Sequence, residues 1–237
     1  MDLTSPDIQI DACTSLKQTP QTLIIAYNNR GNAYTGKGEY DRAIQDYDQS
    51  IKLNPNYARA FNNRGVAYQK KGEYDRAIKD FDESIRLKPD YDNAFANRAE
   101  AYLNKGEYQR AVRDYDDAIR LKPTSDTLWN GRCWTRALFG ELQAALADCN
   151  EALRLQPGVA PTLDSRGFTY LKMGEWDSAI DDYSSALQLD PRLASSLYGR
   201  GLAKLKKSDI TGGNADIAAA TKIDSKIVED FVHYGVQ

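Results

Sequence analysis

Six arginines recur every 34 residues: Arg30, Arg64, Arg98, Arg132, Arg166 and Arg200. At a constant offset after the first five come Asp46, Asp80, Asp114, Asp148 and Asp182. A guanidinium grips a carboxylate or a phosphate through two parallel N–H···O bonds. It therefore has two uses: to hold an internal aspartate, or to face an acidic ligand. A desolvated charge without a partner costs several kcal/mol. The aspartates' fixed offset favours an internal ladder.

A second polar column stands just before the arginines. Asn29, Asn63 and Asn97 precede the first three of them, and Asn28, Asn32 and Asn62 lie alongside. An amide offers a donor and an acceptor together, so a row of amides suits an extended peptide backbone without reading its side chains. The row stops at Gly131, Ser165 and Gly199. Only the N-terminal half carries it.

The elements that must position these columns follow from the same period. Counted from Ile24, small residues recur at Gly31, Gly65, Ala99, Cys133, Gly167 and Gly201. Alanine recurs at Ala43, Ala77, Ala111, Ala145 and Ala179, and proline at Pro55, Pro89, Pro123, Pro157 and Pro191. Apolar spacing from Tyr27 to Tyr34 predicts one amphipathic helix, which Gly38 and its counterparts stop. A second helix is predicted from about Tyr40 to Leu53, ended at Asn54-Pro55 because proline disfavours helical backbone before it. Each copy is a helix hairpin that buries its apolar face only against neighbours. The predicted architecture is one solenoid domain: an N-terminal half-repeat within 1–23, repeats at 24–57, 58–91, 92–125, 126–159 and 160–193, a divergent sixth at 194–227, and a cap at 228–237. Residues 6–17 align with the second helix of the first copy. In the sixth copy Lys204 and Ser208 break two columns, and two extra residues are expected around Thr211-Gly212-Gly213.

These columns resemble the tetratricopeptide-repeat (TPR) pattern of aromatic, glycine, tyrosine, alanine and proline positions, and the wording NNRG and GEYDRAI resembles bacterial members. The resemblance covers about nine tenths of the chain. It implies an all-α right-handed superhelix whose first helices line a concave groove, and a non-catalytic protein-binding role. The family has leucine where this chain has its arginines. Asn32 and Asn63 match two positions of the family's carboxylate clamp, but Asn28, Asn93 and Asn97 stand where that device needs cations, so chaperone-tail binding is not expected. On the same inner face Trp134, Phe168 and Leu202 replace polar residues, joined by Leu138, Leu171 and Tyr198. Two readings stand for them: a partner-binding apolar patch, or a surface buried by curvature or by the C-terminal tail.

Composition narrows the rest. Charged residues make up 27% and hydrophobic ones 41%, a globular balance. A net charge of -3 argues against nucleic acid. No apolar run reaches the length of a membrane span. The start MDLTSPDIQ has no basic or apolar leader region, so a soluble chain is expected, cytoplasmic or, if a signal was trimmed, periplasmic. Cys13, Cys133 and Cys149 read as free buried thiols, or as one Cys133–Cys149 disulfide in an exported chain. No phosphate loop appears, and His233 is the only histidine, so neither a histidine triad nor a multi-histidine metal site is expected. No cofactor, metal or catalytic residue is assigned. The partner is expected to be a peptide or protein segment in the groove, held by amides in the N-terminal half and by apolar anchors in the C-terminal half. Self-assembly through the apolar half is the alternative.

Overall fold

The computed structural model describes residues 19–236 and forms helices only, with no strand among those residues. The segment 6–17 lies outside the described residues. The chain divides into two compact units, Met1–Leu121 and Lys122–Gln237. The first stacks three hairpins: α1 (Pro20–Gly36) with α2 (Tyr40–Leu53), α3 (Ala58–Lys70) with α4 (Tyr74–Leu87), and α5 (Asp92–Asn104) with α6 (Tyr108–Leu121). The second stacks α7 (Asp126–Phe139) with α8 (Leu142–Leu155), α9 (Ala160–Met173) with α10 (Trp176–Leu189), and α11 (Ala194–Lys206) with α12 (Ile210–Ile223), followed by α13 (Ile227–His233). Within each unit the first helices of successive hairpins touch one another, whereas the second helices do not. The first helices therefore line the inner face of each stack.

Close helix approach inside a hairpin depends on one contact. Tyr47 and Phe81 lie flat over Gly31 and Gly65, where an added Cβ would come within 2.6 Å of the ring. Tyr183 covers Gly167 in the same way, with a Cβ clearance of 3.0 Å. In the fourth hairpin both members of this contact are cysteines. Cys133 and Cys149 form a disulfide, fully buried, with Cα atoms 5.4 Å apart. The bond ties α7 to α8 where a ring and a glycine do so in the first, second and fifth hairpins.

The arginine column pairs with the aspartate column in every hairpin. Arg30 Nε and Nη2 donate to the two carboxylate oxygens of Asp46, both at 2.7 Å. The same fork joins Arg64 to Asp80, Arg98 to Asp114, Arg132 to Asp148 and Arg166 to Asp182. Arg200 makes it with Asp216. The sixth rung corrects the sequence reading: α12 begins 34 residues after α10, so no extra residues precede it. Gly213 takes the alanine place and packs against Leu205 and the Gly201 carbonyl. Each guanidinium has further company. Arg64 and Arg98 reach back to Asp48 and Asp82 of the preceding hairpin, at 2.5 Å. Arg30, Arg64, Arg98 and Arg132 also sit over Tyr27, Phe61, Phe95 and Trp129, with centroid distances of 4.7 to 5.7 Å.

Electrostatics differ along the ladder. Burial raises the Asp80 and Asp114 carboxyls above their ordinary value, and the single arginine fork opposes it incompletely. At Asp216 burial again acts upward, but Arg200 and Lys204 together hold the carboxyl below its ordinary value. Lys204 stands where four of the other copies have tyrosine, and its Nζ donates to Asp216 at 2.8 Å, as Arg136 of the fourth copy donates to Asp148 at 2.7 Å. The broken column supplies a second cation. The other broken column does carry strain: Ser208 adopts φ 67° in the turn where the five preceding copies have glycine at positive φ.

Two outcomes follow for stability. Replacing Arg64 by alanine strands Asp80 and should cost about 2–4 kcal/mol in denaturant unfolding. Adding Asp80→Ala should recover part of that loss, as coupled partners do. Ser208→Gly should raise stability by about 0.5–1 kcal/mol, since a left-handed backbone is costly for a residue with a Cβ and glycine gives back part in unfolded-chain entropy.

Candidate functional site

The inner face of the first unit is built on a chain of amides. Asn97 Nδ2 donates to Asn62 Oδ1 at 2.9 Å, and Asn62 Nδ2 donates to Asn63 Oδ1 at 3.0 Å. Asn63 Nδ2 donates to both Asn28 Oδ1 and Asn32 Oδ1, each at 3.0 Å. Asn28 Nδ2 donates to Asn29 Oδ1 at 3.4 Å. Tyr47, lying over Gly31, sends its hydroxyl to Asn32 Oδ1 at 2.7 Å. The six asparagines singled out from the sequence are thus one connected network across α1, α3 and α5. They do not all share one role. Asn28 and Asn62 are 4% exposed and lie beneath the surface, where they hold the others. Asn29 and Asn32 are exposed, and Asn63 and Asn97 half-buried. Donor capacity on Asn29 and Asn32 and acceptor capacity on Asn97 have no partner among the described residues. A polar backbone laid along this face finds both kinds of group at its two ends.

The inner face of the second unit is different in kind. Phe168, Leu171, Tyr198 and Leu202 form one apolar core with Trp134 and Leu138 packed at its margin. Phe168 is 1% exposed, and the Trp134 and Phe168 rings lie 4.8 Å apart. The covering element is α13. Phe231, 2% exposed, packs edge-on against Phe168 and against Tyr198, with centroids 5.8 and 4.8 Å away. Tyr234 meets Trp134 at 5.3 Å and Phe168 at 6.0 Å. The tail folds onto the first helices of three successive hairpins, α7, α9 and α11. Of the two sequence readings for these side chains, the structure takes burial by the C-terminal tail, and it leaves no open apolar patch at Phe168. Phe231 and Tyr234 were missed as site residues. Their helical spacing is visible in the sequence, but the surface they reach is set by packing.

A carboxylate lies on the same inner side. Asp164 of α9 accepts hydrogen bonds from Ser195 and Ser196 of α11, at 3.0 and 2.5 Å. Burial pushes its carboxyl up to about 6, against the opposing pull of the two serines. No sequence signal separated this aspartate from the solvated ones, because its serine partners come from the next hairpin.

The chain belongs to the tetratricopeptide-repeat family. Family models described as TPR repeat match residues 31–72 and 167–208, and models described as tetratricopeptide repeat match 58–91 and 96–160. Curated proteins yield no match. Among solved structures, the chain is similar to one in the APC/C hetero-tetramer Cut9–Hcn1, at 18% identity and a TM-score of 0.81 over 100% of this chain. It spans only 46% of that protein. A tetratricopeptide repeat protein from Parabacteroides merdae ATCC 43184 matches at 18% identity and a TM-score of 0.74, over 97% of this chain and 91% of the other. YrrB, described as a TPR protein with an unusual peptide-binding site, matches at 18% identity and a TM-score of 0.58, over 79% and 95%. At these identities the likeness is one of fold.

The raised Asp164 carboxyl predicts a pH dependence. Its folded value near 6 lies above its ordinary value of 3.8. Between the two the folded state keeps a proton that the unfolded chain has lost. The stability it contributes is complete below about pH 4 and is lost as pH rises through 6. Asp164→Asn should therefore match the parent near pH 4 and exceed it at pH 7.5 by up to roughly 2 kcal/mol, measured by denaturant unfolding at each pH.

Proposed function

We propose that the chain is a non-catalytic interaction scaffold that binds an extended peptide segment along the amide-lined inner face of its first unit. The carrying observation is the amide network: it pre-orients Asn29 and Asn97 through buried Asn28 and Asn62, and Asn32 through Asn63 and Tyr47, so little side-chain order is left to impose on binding. Family membership supports a protein partner. The descriptions of YrrB as peptide-binding and of Cut9–Hcn1 as a multi-chain assembly agree with it, although both describe other proteins. The ladder arginines are engaged inside the hairpins, so they do not serve a phosphate or acidic ligand in this reading. Self-assembly through the second unit's inner face would require α13 to leave it. The Cys133–Cys149 bond supports a location outside the reducing cytosol.

A random peptide display selection against the immobilised chain supplies the ligand for a test. By calorimetry, Asn29→Ala and Asn97→Ala should each weaken that ligand about five-fold, the worth of one net hydrogen bond of roughly 1 kcal/mol. A double variant that binds as tightly as the parent sinks the proposal.

A further inference from the structure

The ladder changes at its last rung, and the earlier repeats show what is missing there. In the second and third hairpins Nη1 of Arg64 and Arg98 holds a carboxylate of the preceding hairpin, Asp48 or Asp82. A ring, Phe61 or Phe95, lies under each guanidinium. Arg166 has Leu163 in the ring's place, but its Nη1 still holds Asn150 Oδ1 at 2.8 Å. Arg200 has neither neighbour. Leu197 stands at the ring's place and Ser184 at the carboxylate's, with Ser184 Oγ a loose 3.3 Å from Nη1. A cleft of about 340 Å³ opens at this point, walled by Ser184, Leu187, Gln188 and Pro191 on one side and by Leu197 and Arg200 of α11 on the other. The Arg200 side chain is 20% exposed, so a solute can reach it. Charge points the same way. Arg200 and Lys204 share the single carboxylate of Asp216, which leaves the rung one positive charge in excess. Arg64, by contrast, stands between two carboxylates.

We infer that this cleft binds a small aromatic carboxylate, a molecule that supplies the acid and the ring the last rung lacks. Its carboxylate takes the place of Asp48 or Asp82, accepting charge-assisted bonds from Arg200 Nη1 and a further one from the Ser184 hydroxyl. Its ring lies against Leu187, Pro191 and Leu197 and reaches the guanidinium, as Phe61 does within the chain. The fork to Asp216 stays intact, because it uses Nε and Nη2 and leaves Nη1 to the ligand. A phosphate would meet the charge and leave the apolar wall bare, and an uncharged ring would do the reverse. A compact aryl acid matches both halves of the cleft. Once bound, it couples the sixth hairpin to the fifth, as Asp48 and Asp82 couple their hairpins to the next. The cleft shares no residue with the inner face, so the inference does not rest on the peptide-binding reading.

The probe is 3-phenylpropionate, titrated into the full chain and followed through backbone amide shifts by NMR. It should bind with a Kd of about 1 mM or tighter, the strength open to so small a ligand, with its shifts concentrated at 184–200. Ser184→Asp puts back the acid that Asp48 provides, and Leu197→Phe puts back the ring. Each restores a residue type the chain already carries at the equivalent place, so the fold is kept. Either variant should weaken the probe at least about ten-fold. 3-Phenylpropanol, which has the ring without the charge, and acetate, which has the charge without the ring, should each bind at least about ten-fold more weakly than the probe. Saturation should also slow amide exchange across 194–206 in the unaltered chain and leave it unchanged in Ser184→Asp. No saturable shift in the unaltered chain, equal binding by Ser184→Asp, or equal binding of the alcohol overturns the inference. A peptide ending in free phenylalanine that binds more tightly than the free acid would make a protein C-terminus the ligand, and would also overturn it. None of these arms touches α1 to α6, so failure here leaves the amide reading standing.

Discussion

A guanidinium taken out of water must be paired, and this chain takes one out in every hairpin. Leucine at that position would have asked only for apolar neighbours. Arginine asks for a carboxylate in fork geometry on the second helix, and the Asp46, Asp80, Asp114, Asp148, Asp182 and Asp216 column supplies it. The pair fixes the register of the two helices, because a slide of one residue along either would leave two buried charges apart. A buried ion pair is weak evidence for net stability. Here its value lies in specificity: it excludes the wrong helix alignment in a chain whose apolar columns repeat so closely that many alignments would bury them equally well.

The rungs also explain the polar letters around them. Aromatic side chains at Tyr27, Phe61, Phe95 and Trp129 lie under the guanidinium planes. Asp48 and Asp82 extend the first-unit rungs backwards into the preceding hairpin, and Asn150 and Ser184 do so for Arg166 and Arg200 in the second. These four rungs thereby couple a hairpin to its neighbour as well as holding it together. Substitutions along the columns preserve the function of the contact and change the means. Cys133 and Cys149 replace a ring on a glycine with a covalent bond, and Lys204 replaces a tyrosine with a second cation for Asp216.

Almost all of the scaffold was legible in the sequence, because repetition itself is the signal: a column seen six times needs no other support. The helices at Tyr40–Leu53 and Tyr74–Leu87 stand where glycine and proline punctuation put them. Legibility failed where a residue's environment comes from outside its own repeat. Asn28 and Asn29 are adjacent and chemically identical, yet one is buried and the other exposed, and only the helix rotation decides which. Gly212 and Gly213 suggested an insertion because glycine at the alanine place is indistinguishable from a shifted frame until Asp216 is seen bonded to Arg200. The destination of the tail was hidden for the same reason. Phe231 and Tyr234 announce an apolar helix, but whether it continues the stack or folds onto the inner face depends on side chains up to a hundred residues earlier.

The two inner faces pose opposite physical problems. Amides are well solvated, so an open amide surface is stable when empty, and the network between Asn28 and Asn97 shows how it is held in order without a ligand. An aromatic surface of Trp134, Phe168 and Tyr198 has no such option. Left open, it would invite nonspecific association, and each ring would lose the burial worth about 25 cal/mol per Å² of apolar area. A chain that keeps such a surface must therefore cover it, and α13 with the Tyr234 that follows it does so with two rings and a lysine contact. Covering it with a separate seven-residue helix on a three-residue link, rather than with a further full hairpin, keeps the cover local.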